Sequence, residues 1–322
     1  MKANPSACTI QQLIAAKQDA EARFRSYPNV LAIGIGSKFK RSPGLRRPAR
    51  VEGLACIQFF VSRKVQTLRA GRRLPQFLYL TARGGRRRRI STDVIPVGRI
   101  QAATCGAGST LDANRDHGLI TLIFRNKVPQ SREFFLISCA HVAGNMRRSP
   151  PSFNELTSAS SSAIPFARTL ALSTAQGDEI EYDIALAKIE AAALPLPELR
   201  VTGTNQALRS FLPLRSIQPG LGVNAALQRG RAHGTVDTMH ASADVRYAGA
   251  TFRVHNLFGL NLPAGRGDSG GLVYRASQAV GIVVAASPLG WLWFQPLELA
   301  VNFLSKIAGI DLSVFNTPKE NP

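Results

Sequence analysis

A serine hydroxyl becomes a nucleophile at neutral pH when a neutral imidazole takes its proton during attack, and a buried acid that orients the imidazole improves the pair. Three short segments supply residues of these types. Ser269 lies in Gly267-Asp268-Ser269-Gly270-Gly271, followed directly by the strand-like Leu272-Val273-Tyr274. Glycines on both sides allow a tight turn that presents the hydroxyl outward while main-chain N–H groups point at a developing oxyanion. His141 closes the run Phe134-Phe135-Leu136-Ile137-Ser138-Cys139-Ala140-His141, in which an apolar strand delivers a histidine just past its end. Asp183 stands before Ile184-Ala185-Leu186-Ala187-Lys188-Ile189, at the mouth of a second apolar strand. The remaining histidines, His117, His233, His240 and His255, sit in polar or turn-like surroundings and read as structural or surface groups. Asp178, Glu179 and Glu181 read as solvated loop charges beside Asp183.

These segments need a scaffold that brings them together. From about Ile100 onward the chain reads as short apolar strands separated by Gly, Pro and Ser, the pattern of a β-barrel or sandwich. Helical spacing returns only at the end, where Pro296, then Leu299, Ala300, Phe303, Leu304 and Ile307, then Gly309, predict a closing amphipathic helix. At the other end, Ile10, Leu13, Ile14, Ala20 and Phe24 predict a helix between Thr9 and Ser26, with Thr9 and Gln12 as a capping box. Strands follow at 30–36 and 54–61, with turn chemistry at 41–48. The expected organisation is an α+β unit over residues 1–99, a β-rich unit over 100–312 and a tail over 313–322.

The three chemical segments together resemble those of trypsin-like serine peptidases, over roughly residues 106–309. They occur in the order His, Asp, Ser, with separations of 42 and 86 residues. The resemblance implies a mainly β fold, a trypsin-like double β-barrel with a small N-terminal α+β domain and a C-terminal helix. It implies His141 as general base, Asp183 as the group that fixes the base's tautomer, and Ser269 as nucleophile of an endopeptidase acting on protein or peptide substrate. The N–H groups of Gly267 and Ser269 would form the oxyanion hole. Neither a cofactor nor a metal is implied. More loosely, the strands at 30–36 and 56–61 and the segment 91–98 look like the region preceding the protease domain in bacterial and plant trypsin-like proteins related to the plant narrow-leaf protease.

Departures from the secreted enzymes matter. Val142 follows His141 where those enzymes commonly carry a disulfide-bonded cysteine, and no activation peptide is recognisable, so zymogen cleavage is not implied. Pro263 stands six residues before Ser269, where enzymes cutting after Lys or Arg place an aspartate. A small or apolar residue is the default preference at the cleaved position. Trp291 and Trp293 fit either a core or a pocket wall.

Composition bounds the rest. At 322 residues and 45% hydrophobic content, the chain can bury a core in each of two domains. Four cysteines, Cys8, Cys56, Cys105 and Cys139, show no CxxC spacing, and Cys139 reads as a buried, inert thiol. No signal peptide or transmembrane run is evident, and together with the resemblance of the N-terminal region to bacterial proteins this leads to the expectation of a bacterial cytoplasmic location. The net charge of +20 is concentrated in residues 1–110, which carry 21 Lys and Arg against 4 Asp and Glu. Such a unit suits nucleic acid or an acidic protein. The alternative function is therefore a protease-fold binding or regulatory protein recruited to an acidic partner through its N-terminal domain. The densest run, Arg86 to Arg89, reads as a solvated loop between strands. The sequence sets no oligomeric state.

Overall fold

The structure, a computed structural model, describes residues 8–40, 49–65, 73–81, 87–103, 111–113, 116–125, 133–145, 152–153, 155–158, 161–190, 208, 210–247 and 250–312. Helix α1 (Ile10–Phe24) starts at Thr9, whose hydroxyl accepts the Gln12 N–H while the Gln12 side chain accepts the Thr9 N–H. Reciprocal capping satisfies two donors that an open helix end would leave bare. The helix buries Leu13, Ala16, Ala20 and Phe24 against β1 (Val30–Lys40), β2 (Ala49–Val61) and β3 (Phe77–Thr81). The turn expected at 41–48 lies outside the described residues.

Strand β4 (Arg87–Pro96) runs parallel to β2 and antiparallel to β3. This corrects the reading of the arginine run, because Arg87 to Arg89 are strand residues paired with Thr81, Leu80 and Tyr79. The physical reason is that β3 supplies a main-chain ladder and packing for the long stems. Arg89 sits 4.2 Å over the Phe77 ring, and Arg88 donates to Gln12 at 3.1 Å.

After β5 (Gln101–Ala102) come β6 (Leu111–Ala113), β7 (Asp116–Gly118), β8 (Leu122–Arg125), β9 (Phe134–Ser138) and the single turn α2 (Ala140–Ala143). Next are β10 (Gly144–Asn145), β11 (Ser152–Phe153), β12 (Glu155–Ser158), β13 (Ser161–Leu172), β14 (Glu179–Ile180) and β15 (Ala185–Ile189). Seven of these form one sheet in the order β7, β6, β12, β13, β15, β9, β8.

The last third holds β16 (Ser210–Phe211), β17 (Gly222–Leu227), β18 (Gly230–Tyr247), β19 (Ala250–Leu260), β20 (Leu272–Arg275), β21 (Gln278–Ser287) and β22 (Trp291–Pro296). Strands β17, β18, β19, β22, β21 and β20 pair in that order, and β20 pairs back to β17. The ring is therefore closed, which removes the free edges an open sheet would expose. Helix α3 (Leu297–Ala308) packs Leu297, Ala300, Val301 and Leu304 into the core and ends at Gly309, whose φ of +65° is the left-handed cap glycine tolerates. The chain is mainly β, with a closed six-stranded barrel, a seven-stranded sheet and the terminal helix expected from sequence.

One long-range pairing was not legible locally. Strand β18 also pairs with β1, so the N-terminal sheet is continuous with the closed barrel. Phe60 of β2 reinforces the junction edge-on to Trp291 and Trp293, at centroid distances of 5.1 and 4.8 Å. Arg253 of β19, almost fully buried, is paired with Glu21 of α1 at 3.1 Å and Asp244 of β18 at 2.9 Å. Among the described residues, no helix is long and apolar enough to cross a membrane.

Candidate active site

Antiparallel pairing of β15 with β9 sets Ala185 opposite Ser138. Asp183 lies two residues before one of these and His141 three residues after the other, so both leave the sheet at the same end. His141 Nδ1 hydrogen-bonds the Asp183 carboxylate, and its main-chain N–H donates to the other carboxylate oxygen at 3.2 Å. Its Nε2 lies 3.0 Å from Ser269 Oγ. All three side chains are buried, with Asp183 and Ser269 at 0% exposure. The structure thus brings together the three residues singled out by sequence. Of the other histidines, His233 contacts Asn224, His240 packs on Phe258, and His255 bridges Ser242 and Glu179. Glu179 pairs with Arg25 at 2.8 Å, a contact that lowers its pKa.

The serine turn is stitched to its surroundings. Gly267 and Gly270 have φ of +91° and +82°, a region that side chains with a Cβ rarely adopt. Ser269 C=O accepts from Leu119 N–H at 2.7 Å, Gly270 C=O accepts from Thr121 Oγ1 at 2.7 Å, and Gly270 N–H donates to Val283 at 2.8 Å. The two Asp268 carboxylate oxygens accept from the N–H groups of Gln228 and Gly265, each at 2.8 Å. The loop is therefore braced by local amides, and nothing in that bracing calls for a freed α-amino group.

Sequence reasoning missed Tyr247 and Gln295, which have no motif around them. Tyr247 OH donates to Asp183 Oδ2 at 3.0 Å, and its ring meets His141 edge-on at 5.1 Å. Burial, then the neighbouring Asp183 charge, pushes the Tyr247 pKa well up, so the phenol keeps its proton. Gln295 of β22 accepts from Asp183 N–H at 2.8 Å and donates to the carbonyls of Glu181 and His255. Removing only the phenol oxygen, Tyr247→Phe, should leave KM unchanged and lower kcat about tenfold, the value of one hydrogen bond to a charged group. Steady-state kinetics on a peptide substrate checks this.

Cys139, His141 and Asp183 place three ligand-type atoms within 4.8 Å of one another. The donor set does not suit a metal: His141 Nδ1 is committed to Asp183, and Cys139 Sγ donates to Val283 C=O at 3.1 Å. Burial pushes the thiol pKa well up, whereas ligation needs the thiolate.

The N–H groups of Gly267 and Ser269 both donate to one acceptor, the carbonyl of Ala103, at 2.7 and 3.0 Å. Nearby, Trp293 is fully buried core, while Trp291 also lines a 560 Å³ cavity with Pro263, Ala264, Pro288 and Phe39.

No protein-family model matches the chain, and no curated protein matches it. Solved structures do match. A glutamic acid specific serine protease is similar at 16% identity, covering 61% of this chain and 96% of that one, with a TM-score of 0.41. Cellulomonas bogoriensis chymotrypsin is similar at 16% identity over 61% and 93% of the two chains, with a TM-score of 0.39. Thermobifida fusca protease A is similar at 16% identity over 65% and 98%, with a TM-score of 0.38. The likeness is one of fold.

Proposed function

We propose that this chain is a serine endopeptidase, in which Ser269 attacks a peptide carbonyl, His141 moves the proton and Asp183 holds the imidazole. The observation that carries the reading is the continuous relay from the Asp183 carboxylate through His141 to Ser269 Oγ, with Nε2 at 3.0 Å. A neutral imidazole whose Nδ1–H is held by the carboxylate has its Nε2 lone pair aimed at the hydroxyl, the tautomer that general-base attack requires. As the carbonyl becomes tetrahedral, its oxygen gains charge, and the Gly267 and Ser269 N–H groups, already convergent on one acceptor, stabilise it. His141 then protonates the leaving amine, and water repeats the sequence on the acyl-enzyme. The substrate class is protein or peptide. The alternative, a protease-fold binding or regulatory protein, rests on the charge of the N-terminal unit, with 21 Lys and Arg against 4 Asp and Glu in residues 1–110.

The test is fluorophosphonate labelling of the full chain and of Ala103→Asp, with the modified residue mapped by peptide mass spectrometry. Burying a carboxylate at a position only 2% exposed is costly, so this variant is expected to loosen the segment and free the two amides from the Ala103 carbonyl. Label on Ser269, faster in Ala103→Asp and absent in Ser269→Ala and His141→Ala, is the expected result. Folded protein that stays unlabelled in both forms would overturn the reading.

A further inference from the structure

The acceptor in the candidate oxyanion hole belongs to the chain itself. Residues 97–103 leave the N-terminal sheet and run toward the serine turn: Val97 N–H donates to Val61 C=O, and Ile100 C=O accepts from Arg246 N–H at 3.1 Å. Strand β5 then lies antiparallel to β21, with Gln101 opposite Ala286 and Ala102 opposite Ala285, and parallel to β18. At the end of this run Ala103 makes three main-chain hydrogen bonds. Its N–H donates to Val284 C=O at 3.2 Å, and its own C=O accepts from the N–H groups of Gly267 and Ser269. Ser269 Oγ lies in the same cluster, 3.3 Å from the Val284 carbonyl and 3.0 Å from the base. Ala103 is 2% exposed.

Each element of this arrangement has a chemical meaning. An extended segment added to a sheet is fixed in register by main-chain bonds, whatever its side chains. A carbonyl held by two convergent N–H donors, beside a hydroxyl with its base in place, sits as a substrate carbonyl would, and the same donors can hold its oxygen as it gains charge. Intramolecular delivery also removes the entropy of bringing substrate and nucleophile together. The alanine fits a preference for a small residue, in keeping with Pro263 where a basic-specific enzyme has its acid.

We infer that the peptide bond on the carboxyl side of Ala103 is a substrate of the chain's own serine, cleaved in cis. The inference rests on the endopeptidase reading above. Ser269 Oγ bonds to the Ala103 carbonyl carbon while His141 takes the hydroxyl proton; the C–N bond to residue 104 breaks and His141 gives that proton to the departing amine. Water then attacks the ester, its proton passes through His141 to Ser269 Oγ, and Ala103 is left as a carboxylate. The net reaction consumes one water and yields one new carboxyl and one new amino terminus. The 1–103 piece stays bound after cleavage, because β1 remains paired with β18 and β5 with β21. Its new carboxylate sits on the amides that hold the carbonyl now, so the processed form carries its own product as an inhibitor until that strand is displaced.

Intact mass measurement and amino-terminal sequencing of the purified full chain, with Ser269→Ala alongside, test this. The expected wild type is two chains, 1–103 and 104–322, that co-elute on size exclusion and separate only on denaturation, while Ser269→Ala remains one chain even when incubated with wild type. Cleavage of Ser269→Ala after Ala103 by added wild type would overturn the cis route. Wild type that stays intact, yet labels with fluorophosphonate at Ser269, would overturn self-cleavage and leave the endopeptidase reading standing. An intact, unlabelled wild type beside a labelled Ala103→Asp would also overturn it, making the segment a plug that is not cut. An intact wild type with neither form labelled sinks both readings.

Discussion

Asp183→Asn is expected to lower kcat on a peptide substrate by about 10⁴-fold with little change in KM. The carboxylate is fully buried and accepts from three donors: the His141 imidazole, the His141 main-chain N–H and the Tyr247 hydroxyl. An amide of the same shape has one acceptor oxygen, and its NH₂ must face at least one of these donors. The imidazole relieves that clash by taking the tautomer with its proton on Nε2, which turns the base's lone pair away from Ser269. The loss therefore falls on the step in which the proton moves. Thermal unfolding should show a modest change, and a variant that keeps wild-type kcat would remove Asp183 from the mechanism. Set beside the tenfold effect expected of Tyr247→Phe, the difference separates the group that sets the tautomer from one that only steadies it.

Gly270→Ala should damage both stability and rate. A Cβ there would stand 2.0 Å from the Leu119 carbonyl oxygen and 2.9 Å from Ser138 Oγ, and the residue holds φ of +82°. The left-handed backbone alone costs about 1–2 kcal/mol. The Leu119 contact adds more, since a main-chain atom moves only if the seam between the seven-stranded sheet and the serine turn opens. A total of about 3 kcal/mol corresponds to roughly 6–12 °C in Tm for a domain of this size. Because Ser269 N–H is part of the same turn, kcat should fall about 10²-fold. Gly177→Ala is the control: it shares a positive φ of +61° but has nothing within 4 Å of its Cβ, so it reports the backbone cost alone. Equal Tm losses for the two variants would mean that the Leu119 main chain, between β7 and β8, yields freely.

The features legible in the sequence are those written in local order. Thr9 and Gln12 announced α1, Pro296 and Gly309 bracketed α3, and apolar runs ending in His141 and beginning after Asp183 marked two strand ends. The glycines around Ser269 declared a turn that needs positive φ. Each rests on neighbours within a few residues, where capping, periodicity and backbone freedom act. The arginine run shows the limit even at that range, because its own composition reads as solvated and only the ladder to β3 makes Arg87 to Arg89 strand.

Sequence alone thus determined which residue types could form a nucleophile, base and acid, and in what order. Tertiary structure decided that they meet, that Tyr247 and Gln295 complete the surroundings of Asp183, and that the N-terminal sheet joins the closed barrel through β1 and β18. It alone also put the Ala103 carbonyl on the main-chain N–H groups of Gly267 and Ser269. The physical reason is that strand pairing is specified by main-chain hydrogen bonds between segments far apart in the chain, which carry no local period, and a carbonyl finds its donors only after both sheets have closed around it.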